Sequence, residues 1–198
     1  EAASTQASLH EGFNAVALDN DCTLFLYHSV DNTTNGEAPF TPIANYAPVT
    51  VHIEGGSVQG YFDLTKGDTD EDWAMMKTHL LTGSITDLKT PQLTFHLPTA
   101  ELKAAVGDNM AGLLNIWEGL MTMERNMQGL EEYDGYFNNP LSVTSPTTDY
   151  MHASDYGTYY ADYTLNSFMN YSNMKTNGGN IWGPAHEIGH IHQEPINM

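Results

Sequence analysis

His186-Glu187-Ile188-Gly189-His190 reads H-E-x-x-H, and this pattern constrains the chain more than any other feature of its 198 residues. Each residue of a helix turns by about 100°, so positions four apart share a face and two imidazoles can aim at one metal ion. Glu187, one step round, can reach water on that metal. Zinc lowers the pKa of bound water to about 7. A carboxylate beside it can take the proton as the water attacks a peptide carbonyl, then return it to the leaving amine. With only 9 His in the chain, chance is a poor explanation for the pattern. The candidate site is therefore His186 and His190 as ligands of Zn²⁺, with Glu187 as general base.

Punctuation supports a helix here. Pro184 suits a first helical position, where its missing N–H costs nothing, and Pro195 pushes Glu194 out of helix. The spacing predicts a helix over roughly 184–193. Gln193 falls on the metal-facing side, where it can contact substrate or simply pack. His192 points elsewhere and reads as a packed or solvated histidine. Trp182 reads as a staple of the helix entry onto the core rather than a cleft wall.

The wider string Asn180-Ile181-Trp182-Gly183-Pro184-Ala185-His186-Glu187-Ile188-Gly189-His190-Ile191-His192-Gln193 resembles the active-site helix of the enhancin-like, mucin-targeting metallopeptidases. Tyr150-Met151-His152-Ala153 and Gly60-Tyr61-Phe62-Asp63-Leu64 are also similar. The resemblance spans most of the chain and is most specific over its last twenty residues. It implies a secreted or surface-attached zinc endopeptidase of the gluzincin type, acting on mucin-like O-glycosylated proteins. His186 and His190 match that family's zinc histidines, and Glu187 matches its base. The family's third ligand is a Glu on a later helix, whereas eight residues follow His190 here. Glu194 is the sole carboxylate after the motif, and even on the helix it would belong to the same short rod, while zinc needs a ligand from another element. The expectation is thus a truncated catalytic region whose third ligand lies downstream of Met198.

Composition narrows the partners. A net charge of −19 with 6 Lys plus Arg repels phosphate, which argues against nucleic acid or an anionic membrane. No stretch is long and apolar enough for a transmembrane helix. Cys22 stands alone and reads as a small buried hydrophobe. The chain begins at Glu1 with no basic, apolar leader, so an extracellular or cell-surface location rests on the resemblance. Asn32-Thr33-Thr34 and Asn170-Tyr171-Ser172 match the glycosylation acceptor pattern, which is too short to carry a role.

The first hundred residues read mainly as strands. Val49, Val51 and Ile53 alternate with polar residues, Gly55-Gly56 supplies a turn, and Val58, Phe62 and Leu64 continue the apolar face, setting Val49 opposite Phe62. Residues 22–28 and 92–97 read as further strands. Thr69 and Asp72 form a capping box for a helix through Trp73, Met76 and Leu80. Asp68, Asp70 and Asp72 read as acids at that helix terminus, not a calcium loop, because Trp73 and His79 occupy the positions where Gly and Glu belong. The second half reads helical over 99–106, then 108–128 closed by Gly129, then 155–175. Met110, Leu113, Leu114, Trp117, Leu120 and Met121 form one core-facing stripe. Residues 141–150 fit either an edge strand that holds extended substrate or an ordinary loop. Tyr156, Tyr159, Tyr160 and Tyr163 read as core aromatics rather than sugar-stacking ones.

The expected architecture is α+β: a β-rich N-terminal lobe over 1–98, then a helical zincin-like catalytic region over 99–198. Other classes fit less well. A di-iron oxygenase needs a second Glu-x-x-His, and a carbohydrate-binding module leaves the H-E-x-x-H unexplained. An inactive fragment, or a noncatalytic glycan- or glycoprotein-binding relative, is the alternative that stays open.

Overall fold

A computed structural model describes residues 7–17, 26, 49–56, 59–129, 140–154 and 157–192. The chain divides into two compact units, 1–57 and 58–198. In the first unit no strand covers the described residues 49–56, and Val49, Val51 and Ile53 are all exposed. The hairpin expected there is therefore replaced. Phe62 pairs in parallel with Leu88 instead of facing Val49. Alternation alone lacked a buried face to fix its register. The strand expected over 22–28, with Cys22, lies outside the described residues apart from Leu26, which carries no strand.

The second unit is built on a six-stranded mixed sheet. Its strands are β1 (Phe62–Asp63), β2 (Ile85–Lys89), β3 (Leu93–Pro98), β4 (Leu141–Thr144), β5 (Met151–Ser154) and β6 (Gly157–Tyr160). The spatial order is β1-β2-β3-β4-β6-β5. Strand β2 is antiparallel to β3, β5 is antiparallel to β6, and the remaining neighbours are parallel. The sheet crosses the boundary expected at 98/99, because β3 pairs with β4 along Leu93–His96. Residues 141–144 do form a strand, but an interior one; β5 occupies the sheet edge.

Six α-helices accompany the sheet among the described residues: α1 (Asp70–His79), α2 (Thr99–Ala105), α3 (Met110–Met127), α4 (Leu165–Phe168), α5 (Tyr171–Thr176) and α6 (Gly178–His192). The Thr69/Asp72 capping box forms as expected, and its hydrogen bonds hold the Asp72 carboxyl below the usual carboxylate range. Asp70 accepts from the Ala111 N–H at 2.9 Å, so these acids serve helix ends. All six residues of the α3 stripe are buried. Trp117 is its centre, meeting Phe95 edge-on at 5.3 Å, Tyr160 at 6.1 Å and Phe168 at 6.1 Å. Its indole N–H donates to the Phe168 carbonyl at 3.2 Å, satisfying the one polar group it buries. The next residue, Glu118, accepts from the Thr90 hydroxyl, the Gln92 amide N–H at 2.9 Å and the Gln92 side chain at 2.7 Å, tying α3 to the β2–β3 turn.

The helix expected over 155–175 is replaced by the β5–β6 hairpin and the two short helices α4 and α5. Gly157, Thr158, Tyr159 and Tyr160 are β-formers or breakers of helix, and β6 inserts beside β4, where Val143 lies opposite Thr158. Gly157 permits that approach, since a Cβ there would lie 2.2 Å from the Ser142 carbonyl oxygen. Asn170 has a structural task, capping α5 through Asn173 and donating to the Ala105 carbonyl.

Two glycine replacements should separate these effects. Gly157→Ala forces β6 away from β4 and should destabilise the unit by about 2 kcal/mol or more. Gly119→Ala fills open space on the exposed side of α3 and should stabilise by about 0.5–1 kcal/mol. Denaturant unfolding of both variants measures the contrast.

Candidate active site

The helix that carries the motif starts earlier than the sequence suggested. The Asn177 carboxamide oxygen accepts from the Gly179 N–H at 3.0 Å, and its carbonyl accepts from the Asn180 N–H at 2.9 Å, so the chain turns into helix at Gly178. Pro184 consequently lies inside α6 and is buried there. It serves packing rather than helix initiation. Gly183 beside it faces β5, and a Cβ at that position would come within 2.9 Å of the Met151 sulfur and terminal methyl.

Helical periodicity divides α6 into two stripes. Gly183 and Glu187, four apart, are buried, as are Pro184 and Ile188. Helix α6 packs against β5, β6 and α3. Trp182, His186 and His190 form the more open stripe. The His186 and His190 Nε2 atoms approach to 3.0 Å, with ring centroids 4.4 Å apart. Zinc–imidazole bonds of about 2.0–2.1 Å can span such a separation from a single point, so this donor pair fits a metal ion. Among the described residues no third His, Cys, Asp or Glu joins them in a metal-holding group.

Trp182 corrects an expectation. It is 64% exposed and stacks on His186 at 4.7 Å with the planes 19° apart. It lines an open cleft of about 320 Å³ together with Glu124, Met127, Ala185, His186 and Gly189. An indole lying flat on the imidazole restricts rotation of the candidate ligand ring, a task that a staple into the core would not perform. His192 is half-buried against α3; burial first, and Arg125 second, push its pKa below the ordinary histidine value. Its carbonyl accepts from the Gln128 side chain at 2.7 Å, consistent with a packed residue. Gln193 and Glu194 lie outside the described residues.

Glu187, on the buried stripe, is only 5% exposed. Near it on the sheet the Tyr160 hydroxyl is buried beside that of Thr158, close enough to feel the charge of Glu187. Burial raises the Tyr160 pKa strongly, the nearby Thr158 hydroxyl opposes the shift, and the negative charge of Glu187 adds to it. This pair of hydroxyls and the two α3 residues, Glu124 and Met127, were not found from sequence. A signal existed for Glu124. It continues the apolar stripe of α3 seven residues after Trp117, where a carboxylate is out of pattern. Of the tyrosine cluster, Tyr160 is core, while Tyr163 is exposed against Tyr150 and Tyr159 stacks on His152 at 4.9 Å. Tyr156 lies outside the described residues.

The chain belongs to the Peptidase M60 family, enhancin and enhancin-like, whose model matches residues 58–198. The match begins where the second compact unit begins. The fold is similar to a metallopeptidase from Bacteroides thetaiotaomicron, with a TM-score of 0.65 and 28% identity over 72% of this chain and 24% of that one. A metallopeptidase in complex with Tn antigen is comparably similar, with a TM-score of 0.65 and 29% identity over 72% of this chain and 26% of the other. TRPM8 channel-associated factor 2 of Mus musculus is 26% identical over 149 residues, 74% of this chain and 15% of that protein. The chain thus spans a minor part of each of these relatives. Family membership makes this a peptidase-type domain and implies a metal ion. Among the described residues no helix is long and apolar enough to cross a membrane.

The raised Tyr160 pKa has a stability consequence. The unfolded chain releases this proton near the ordinary tyrosine value of about 10, while the folded chain keeps it to higher pH. The contribution is therefore fully present below pH about 10 and lost as pH rises above it. Denaturant unfolding from pH 8 to 11 should show a steeper loss for the unsubstituted protein than for Tyr160→Phe.

Proposed function

We propose that this chain carries the zinc-binding helix of an endopeptidase that cuts mucin-like, O-glycosylated proteins outside the cell or at its surface. The observation that carries the reading is the 3.0 Å approach of the His186 and His190 Nε2 atoms with buried Glu187 between them in sequence. In this reading His186 and His190 hold Zn²⁺ through Nε2, and a third ligand comes from outside the described residues. Zinc, when bound, supplies Lewis acidity that makes water acidic and polarises the peptide carbonyl.

The chain's own residues supply the proton handling and orientation. Glu187 takes the proton of the attacking water on a carboxylate oxygen and delivers it to the leaving amine. Its burial near Tyr160 keeps bulk water from the rear of that carboxylate. Trp182, stacked on His186, orients the imidazole. Strand β5, at the sheet edge and packed against α6, presents backbone groups to which an extended peptide can add. A glycoprotein substrate is supported by the similar metallopeptidase in complex with Tn antigen. The absence of a third metal-holding side chain among the described residues supports a second reading, a noncatalytic glycoprotein-binding relative.

Elemental analysis and glycopeptide hydrolysis on the intact protein separate the two. The peptidase reading expects about one zinc per chain after dialysis against a weak chelator, loss of that zinc in His186→Ala, and zinc retention in Glu187→Gln. Turnover in Glu187→Gln should fall by about 10²-fold or more, the usual range for a lost general base. Undiminished turnover in Glu187→Gln would contradict the mechanism. Binding of glycopeptide by a zinc-free, inactive protein would favour the second reading.

A further inference from the structure

The cleft beside His186 contains a carboxylate that none of the chemistry above uses. Glu124 extends the buried stripe of α3 to the point where α3 meets α6, and it is half-buried there. Its carboxylate oxygens lie 3.8 Å from where a Cβ on Gly189 would stand, so the bare backbone of α6 leaves room for it. Among the described residues no side chain forms an ion pair or hydrogen bond with this carboxylate. A half-buried carboxylate with no cationic partner among the described residues can accept one. The same cleft is lined by Trp182, the exposed indole, and by the flexible thioether of Met127. An indole face and a carboxylate converging on a cleft of about 320 Å³ make a site for an organic cation. The charge of −19 raises the local concentration of cations further.

We propose that Glu124 and Trp182 form a subsite for the cationic side chain, guanidinium or ammonium, of a peptide residue next to the bond held at His186. Glu124 is then a specificity-determining residue. The role as a substrate subsite rests on the peptidase reading, but cation binding itself requires neither metal nor turnover. Both residues line one cleft, so a cation seated there meets the carboxylate charge and the ring quadrupole together. A neutral isostere of the same shape keeps the ring contact and loses the charge term.

Trp182 supplies the readout, since Trp73 and Trp117 are fully buried and Trp182 is 64% exposed. Metal-free protein is titrated at low salt with N-acetyl-argininamide, its uncharged isostere N-acetyl-citrullinamide, and N-acetylgalactosamine, following the emission of the exposed indole. The arginine probe should reach half-response at a concentration about five-fold below the citrulline probe, the size expected for one partly screened ion pair. Glu124→Gln should bring the two midpoints together, and Trp182→Phe should remove the response. Glu124→Gln places a neutral isostere on a helix surface, so circular dichroism should be unchanged. Equal midpoints for the two probes in unsubstituted protein would overturn the proposal, as would a preference that survives Glu124→Gln. A response to the sugar alone, lost in Glu124→Gln, would overturn it in favour of a hydroxyl-reading site. Failure to hydrolyse any glycopeptide would count against the peptidase reading and leave this result standing.

Discussion

The packing of Trp117 is the interaction on which the second unit depends. Its indole joins a ring from β3, a ring from β6 and a ring from α4, and its one polar atom is satisfied by the α4 backbone. Removing such a side chain from a closed core typically costs about 3–5 kcal/mol, a large fraction of the stability of a domain. Through this contact α3 takes a fixed position over the sheet, and Glu118 fixes its rotation at the β2–β3 turn. Helix α6 is then held between α3, β5 and β6, with Ile188 fully buried as its anchor. The site geometry is a consequence of that frame.

Placing α6 there assigns its two stripes different work. The stripe toward the sheet uses Gly183, where Met151 presses closest, and Glu187, whose charge reaches the buried Tyr160 hydroxyl. The open stripe aligns Trp182, His186 and His190 in a stacked and then edge-on series. In the proposed mechanism a single residue of rotation separates the metal-donor histidines from the proton-transferring Glu187, the arrangement that H-E-x-x-H spacing encodes. Cleft polarity comes from a different element, since Glu124 and Met127 belong to α3.

Legibility followed the range of the interactions. The Thr69/Asp72 box and the α3 stripe depend on neighbours three or four residues away, and both were readable. So was the pairing of His186 with His190. Elements whose stability comes from distant partners were not. The run from Tyr156 to Tyr163 is compatible with a helix until β4 is available to pair with β6. Residues 49–54 alternate as a strand should, yet Phe62 pairs with Leu88. Pro184 marks a helix start by local rules, but the Asn177 cap starts α6 six residues earlier. Trp182 was misplaced for the same reason, because a longer helix carries it onto the histidine stripe and out of the core.

The central claim is that the two imidazole nitrogens of α6 hold one metal ion. The most direct test is diffraction from zinc-soaked crystals of the intact protein, with anomalous data collected on both sides of the zinc edge. The expected result is one strong zinc peak about 2.0–2.1 Å from the Nε2 atoms of both His186 and His190. A map with no peak between these nitrogens, or with zinc bound at other side chains, would contradict the account.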